Sequence, residues 1–112
     1  MVPGRVSRRT PKVEDEQLRD YELVLVFSPE VAEDGVEAAI GRVSQFITER
    51  GGILPTVEQW GKRRLAYPIR RFMEGSYVLT RFKLKPKLTK ELEANLQISE
   101  EVLRHLLTRL SG

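Results

Sequence analysis

The chain has 112 residues, of which 40% are apolar and 31% charged, with a net charge of +3 and no cysteine. That length makes one domain with a core large enough to fold unaided, and the missing cysteines exclude disulfides and thiolate metal sites. The apolar runs are too short and too interrupted by charge to cross a membrane, and the first residues lack the apolar stretch of a signal peptide. A fold that needs no oxidising compartment fits the cytoplasm, with an organellar location left open.

The modest net charge hides a strong segregation. Between Gln59 and Lys90 stand ten cations, Lys62, Arg63, Arg64, Arg70, Arg71, Arg81, Lys83, Lys85, Lys87 and Lys90, against one acid, Glu74. That stretch carries +9, so the remainder of the chain carries −6. Such polarity is the electrostatic footprint expected of a protein that meets a polyanion. The plainer alternative is a solvated basic surface.

Residues 1–18 hold Pro3, Gly4, Ser7 and Pro11, few large apolar groups, and a basic patch (Arg5, Arg8, Arg9, Lys12) followed by Glu14, Asp15 and Glu16. Too little apolar area is available there to offset the entropy of ordering, so a flexible arm is expected before a folded domain spanning 19–112. From Tyr21 to Phe27 the chain is rich in β-branched and aromatic residues and stops at Ser28-Pro29, which reads as a strand with Tyr21, Leu23, Leu25 and Phe27 on one face. A helix is expected from about Glu33 to Arg50. Val36, Ile40, Val43 and Ile47 recur at helical spacing, Ala39 and Phe46 widen the stripe, and Gly51-Gly52 supplies a left-handed end.

Ile53 to Ile69 reads as one long strand, bent or bulged at Gly61. Arg70 to Gly75 is the expected turn, and Ser76 to Leu84 a strand with Ser76, Val78, Thr80, Phe82 and Leu84 facing one way. A second helix is expected from Pro86 or Lys87 to Gln97, with Leu88, Leu92 and Leu96 as its stripe. Val102, Leu103, Leu106, Leu107 and Leu110 fit a helical stripe on local pattern. However, strand–helix–strand–strand–helix lacks a closing strand, and split β-α-β units make a four-stranded antiparallel sheet with both helices on one face. The segment is therefore assigned to a strand, an α+β architecture.

Nothing in the chain points to catalysis. The lone histidine, His105, sits in a leucine-rich segment and reads as a packed or rim residue. No His or Cys spacing offers a metal site, no phosphate loop or nucleophile elbow is present, and no cofactor or small-molecule substrate is expected. The informative stretch runs from Trp60 to Arg71, with five cations, two aromatics and no acid. Guanidinium groups grip phosphate with a planar fork and stack on bases. Alternation along a strand puts Arg63 and Arg64 on opposite faces, so one is expected to reach RNA and the other to pair locally. Leu65 and Tyr67 share a face and are assigned to the core. Trp60 is either a stacking surface or a core rim.

Gly61-Lys62-Arg63-Arg64-Leu65-Ala66-Tyr67-Pro68-Ile69-Arg70 resembles the signature of the bacterial small-subunit ribosomal protein S six family. Arg19-Asp20-Tyr21-Glu22 resembles that family's opening, and Val102-Leu103-Arg104-His105-Leu106-Leu107 its last strand. The resemblance spans Arg19 to about Leu110. It leaves residues 1–18 outside the family core, and at Gly112 the polar tail of many relatives is lacking. It implies a ferredoxin-like βαββαβ domain, in favour of a final strand. It implies binding to the central domain of small-subunit ribosomal RNA together with ribosomal protein S eighteen, as a structural and not a catalytic component.

Lys62, Arg63, Arg64, Arg70 and Arg71 are the RNA-contact candidates that the resemblance implies, with Arg19 as an outlying one. Partnership with protein falls to the sheet face without helices, which by strand parity includes Val24, Val26, Tyr77 and Leu79; an exposed apolar face of this kind marks an interaction site, unless its own side chains cover it. Two other readings stand beside this one. A sheet-face reader of single-stranded RNA would need stacking aromatics on its middle strands, and Leu79 stands where one is wanted. A ferredoxin-like domain that binds a small molecule would need a ligand pocket.

Overall fold

The computed structural model describes residues 17–110; the expected arm therefore lies, except for Gln17 and Leu18, outside the described residues. Strand β1 (Arg19–Phe27) is followed by helix α1 (Glu33–Glu49), the long strand β2 (Ile53–Ile69), β3 (Phe72–Leu84), a 3-10 turn (Pro86–Leu88), helix α2 (Thr89–Gln97) and β4 (Val102–Arg109). The strands lie side by side in the order β2-β3-β1-β4, and every neighbouring pair is antiparallel. Each helix thus connects two strands that have a third between them, which is the ferredoxin-like split β-α-β arrangement.

Alternation along β1 builds the core. Tyr21, Leu23, Leu25 and Phe27 are all buried and lie opposite Phe82, Thr80, Val78 and Ser76 of β3. Against this face pack Val36, Ala39, Val43, Phe46 and Ile47 of α1 and Leu92 and Leu96 of α2. Each fully buried large side chain contributes about 1.5–3 kcal/mol by leaving water. Ser28 ends β1 with its N–H donating to Glu101 O (3.0 Å) and its Oγ accepting from the Glu30 N–H (3.2 Å).

Helix α1 stops in a double cap. The Gly52 N–H reaches Ile47 O at 2.8 Å and the Gly51 N–H reaches Thr48 O at 3.2 Å, with Gly51 at φ 81°. This is the Schellman arrangement, and its left-handed residue is a glycine because a Cβ there is strained. Arg50 beside it ion-pairs with Glu91 of α2 (2.9 Å) while its guanidinium lies 3.8 Å above the Phe46 ring. That contact links the ends of the two helices.

The hairpin β2–β3 differs from the expected one. The turn is only Arg70-Arg71, with Ile69 opposite Phe72, and β3 begins four residues earlier than Ser76. Arg70 takes φ 58°, the left-handed conformation that lets two residues reverse a twisted ribbon. Gly75, which reads as a loop residue, instead serves close packing: a Cβ there would stand 2.5 Å from Val26 Cγ1 and 3.1 Å from Phe27 O. The bulge falls where expected. Gln59 faces Val78 and Gly61 faces Tyr77, with Trp60 the extra residue and Gly61 at φ 81°.

The closing segment is a strand. Leu25 faces His105 and Leu23 faces Leu107 across β1, while Leu106 points to the other side and is 54% exposed. A period of two thus decides that Leu107 packs against the core and Leu106 does not, and the helical spacing of these residues is coincidental. His105 sits at the rim, its Nε2 3.5 Å from Glu93 Oε2 of α2.

Candidate nucleic-acid interface

β2 is an edge strand, and its bulge sorts the cations. Lys62 and Arg64 lie opposite Ser76 and Glu74 on the helix side of the ribbon, and Arg63 lies opposite Gly75 on the open side. All three are exposed. The expected division of labour between Arg63 and Arg64 is not what the structure holds. Among the described residues neither makes an ion pair, although Glu74 stands across from Arg64. Arg63 instead places its guanidinium 5.5 Å from the Trp60 ring centroid. Trp60 is 42% exposed, stacks on Tyr77 at 6.5 Å and 12°, and donates from Nε1 to Glu58 Oε1 at 3.1 Å. It is a surface stacking residue with its polar tip satisfied.

Arg70, at the turn, makes no ion pair among the described residues, whereas Arg71 pairs with Glu30 at 3.1 Å and covers the Phe72 ring at 4.6 Å. Arg19 is not brought to this cluster. It lies opposite Leu84 at the far end of β3, ten residues from the Glu74 that faces Arg64, or about 33 Å at the rise of a strand.

The open face carries Val24 opposite Leu79 and Val26 opposite Tyr77. Val26 (4%) and Leu79 (6%) are buried in the chain itself, and Val24 and Tyr77 are half-buried. The reason is the second half of β2, which crosses over this face. Leu65 is buried there, and with Tyr67, Ile69, Arg104 and Leu106 it rims a shallow cavity of about 200 Å³ above Val24, Val26 and Tyr77. Tyr67 departs from its core assignment: it is 57% exposed, and its hydroxyl accepts from Arg104 Nη1. Sharing a face with Leu65 did not bury it because the chain has by then passed beyond the centre of the sheet.

Arg104 was not singled out by sequence reasoning, nor was His105 as anything but a rim residue. They stand on β4, four elements away from the basic stretch, and the fold alone brings both beside Arg70. The signal available was the Arg-His pair flanked by Leu103 and Leu106 within β4.

The family model of ribosomal protein S6 matches residues 20–109. The chain belongs to the ribosomal protein S6 family. Small ribosomal subunit protein bS6 of Moorella thermoacetica is 44% identical over 93 residues, 83% of this chain and 95% of that protein. The bS6 of Dehalococcoides mccartyi is 44% identical over 91 residues, 81% of this chain and 84% of its own. The crystal structure of 30S ribosomal protein S6 from Thermotoga maritima superposes with a TM-score of 0.78 at 33% identity, covering 84% of this chain and 89% of that one. The C-terminal domain of the MgtC protein from Mycobacterium tuberculosis shares the fold, with a TM-score of 0.56, at 18% identity over 88% of this chain. A topology held by such different proteins carries no function by itself. In this S6-family chain the segment from Gly61 to Arg70 runs from the β2 bulge to the turn, so the family resemblance and the unpaired cations coincide. Among the described residues no group of His, Cys, Asp and Glu is placed to hold a metal ion, and no helix is long and apolar enough to cross a membrane.

Proposed function

We propose that this chain is a structural component of the small ribosomal subunit that binds the central domain of its ribosomal RNA together with ribosomal protein S18, aiding assembly and translation in the cytoplasm. The observation that carries the reading is the row Lys62, Arg63, Arg64 and Arg70, exposed on and after an edge strand with no ion pair among the described residues, in a chain of the S6 family. Unpaired guanidinium groups need not give up an internal partner to meet phosphate, and each phosphate neutralised releases condensed counterions. With cations on both sides of one ribbon, the RNA fits around an edge, a geometry suited to a junction and read by shape more than by base edges. Arg71 takes part by exchanging Glu30 for phosphate; Arg19 makes a separate, outlying contact.

The open face supplies the protein-binding surface. Val26 and Leu79 form its floor, and Val24 and Tyr77, with the exposed Tyr67 and Leu106 around the cavity, present the apolar area a partner would cover. The Trp60–Tyr77 stack, with Arg63 beside it, favours a second reading in which an unpaired base stacks on this face.

Binding of the protein to a central-domain RNA fragment, with and without S18, over a salt series tests both. The first reading predicts salt-sensitive binding, cooperative with S18 and weakened when Arg63, Arg64 and Arg70 become alanine. Absence of binding even with S18, in folded protein at low salt, contradicts it. The second predicts that Tyr77→Ala abolishes binding to short single strands.

A further inference from the structure

A cleft of about 280 Å³ opens where the β2–β3 turn meets the start of β4. Arg70 from the turn and Arg104 and His105 from β4 line it, and among the described residues no carboxylate does. Each cation is held in a way that leaves its charge available. Arg70 has φ 58°, a conformation in which a hairpin ordinarily places glycine, asparagine or aspartate. A strained side-chain-bearing residue that makes no ion pair among the described residues points from the outlier to a role for its side chain. Arg104 is exposed, and its Nη1 donates to the Tyr67 hydroxyl, a neutral acceptor that positions the guanidinium without cancelling its charge. On the α2 side, Glu93 Oε2 stands 3.5 Å from His105 Nε2.

We propose that this cleft is a phosphate site: a phosphodiester of the bound RNA lies between the guanidinium groups of Arg70 and Arg104, with His105 at its wall and Tyr67 as the positioning residue for Arg104. The proposal rests on the RNA-binding reading and extends it to β4. Two forked donors from separate elements can each take a non-bridging oxygen of one phosphodiester. The RNA footprint then follows β2 from Lys62 to the turn and continues under the sheet end. Because Arg104 also rims the apolar cavity of the open face, RNA and a protein partner on that face would meet at this residue.

The test measures binding of the full chain to the central-domain RNA fragment, with S18 present and absent, across a salt series. Arg104→Gln is expected to lower affinity about tenfold and to make the slope of log affinity against log salt shallower by about 0.9. Tyr67→Phe is expected to lower affinity about threefold at unchanged slope, because the charge stays and only its anchor is lost. Arg70→Gly separates binding from folding. Relief of the left-handed strain should raise the melting temperature while RNA affinity falls, opposite directions that general misfolding cannot produce. If wild-type protein binds and both Arg104→Gln and Arg70→Gly bind equally well, the cleft is not a phosphate site and the RNA-binding reading survives. If Arg104→Gln weakens association with S18 in the absence of RNA and leaves the salt slope unchanged, the cleft takes an acidic protein segment and the proposal is overturned. If wild-type protein binds no RNA under any condition, the underlying reading fails and this site fails with it.

Discussion

β2 and β3 are adjacent strands with similar basic sequences, yet they present opposite electrostatics. On β3, Arg81 pairs with Glu22 at 3.1 Å and Lys83 with Asp20 at 2.8 Å, each directly across from its partner on β1. On β2, Lys62, Arg63 and Arg64 make no ion pair among the described residues. The difference is position in the sheet. β3 is central and borders the acidic opening of β1, whereas β2 is an edge with β3 as its single neighbour. A run of ten cations in sequence is therefore divided by the fold into a neutralised part and an available part. Exposed charge on an edge strand also blocks unwanted strand addition, so the β2 cations protect the fold whether or not RNA is bound; only the binding of a polyanion distinguishes the two roles.

The largest expected effect comes from removing the available cations. Arg63→Ala, Arg64→Ala and Arg70→Ala together should lower affinity for the RNA fragment on the order of a hundredfold, at about 1 kcal/mol or more per lost charge-assisted contact, measured by filter binding or calorimetry. Next comes Gly75→Ala, whose methyl would meet Val26 Cγ1 at 2.5 Å. It should cost about 1–3 kcal/mol as overpacking, read as a lower midpoint in urea. Gly61→Ala meets open space but is held at φ 81°, so about 1 kcal/mol of backbone strain is expected. Its loss of RNA affinity should exceed its loss of stability if the bulge is what sorts Arg63 from Arg64. Smallest is Arg81→Ala. Its exposed pair with Glu22 should be worth less than about 1 kcal/mol, and RNA affinity should barely change.

Much of this was legible in the sequence because periodicity and punctuation agree. The β1 alternation, the α1 stripe closed by Gly51-Gly52 and the bulge at Gly61 each rest on a local physical rule. The last strand needed the architecture, since Val102 to Leu110 fits a helix and only pairing with β1 selects the period of two. Other features escaped. The turn is shorter than expected because an arginine adopts the conformation usually left to glycine, and Gly75, assigned to that turn, instead answers the closeness of Val26. Tyr67 is exposed because the part of β2 that carries it lies over the open face, on the outside of the cavity, and not in the core. Arg104 and His105 join the basic cluster through contacts across more than thirty residues of chain, which no local pattern reveals. The neutralisation of Arg81 and Lys83 is also a matter of register, so counting charge along the sequence overstates the basic surface.

The most direct test of the division between the two strands compares three proteins on one RNA fragment with S18 present: wild type, the triple alanine variant at Arg63, Arg64 and Arg70, and the double variant Arg81→Ala with Lys83→Ala. The slope of log affinity against log salt should become shallower by about 2.7 in the triple variant, one counterion per lost phosphate contact, and stay within about 0.5 of wild type in the double variant. Equal slopes for the two variants would mean that pairing within the sheet does not decide which cations meet RNA, and would contradict the account.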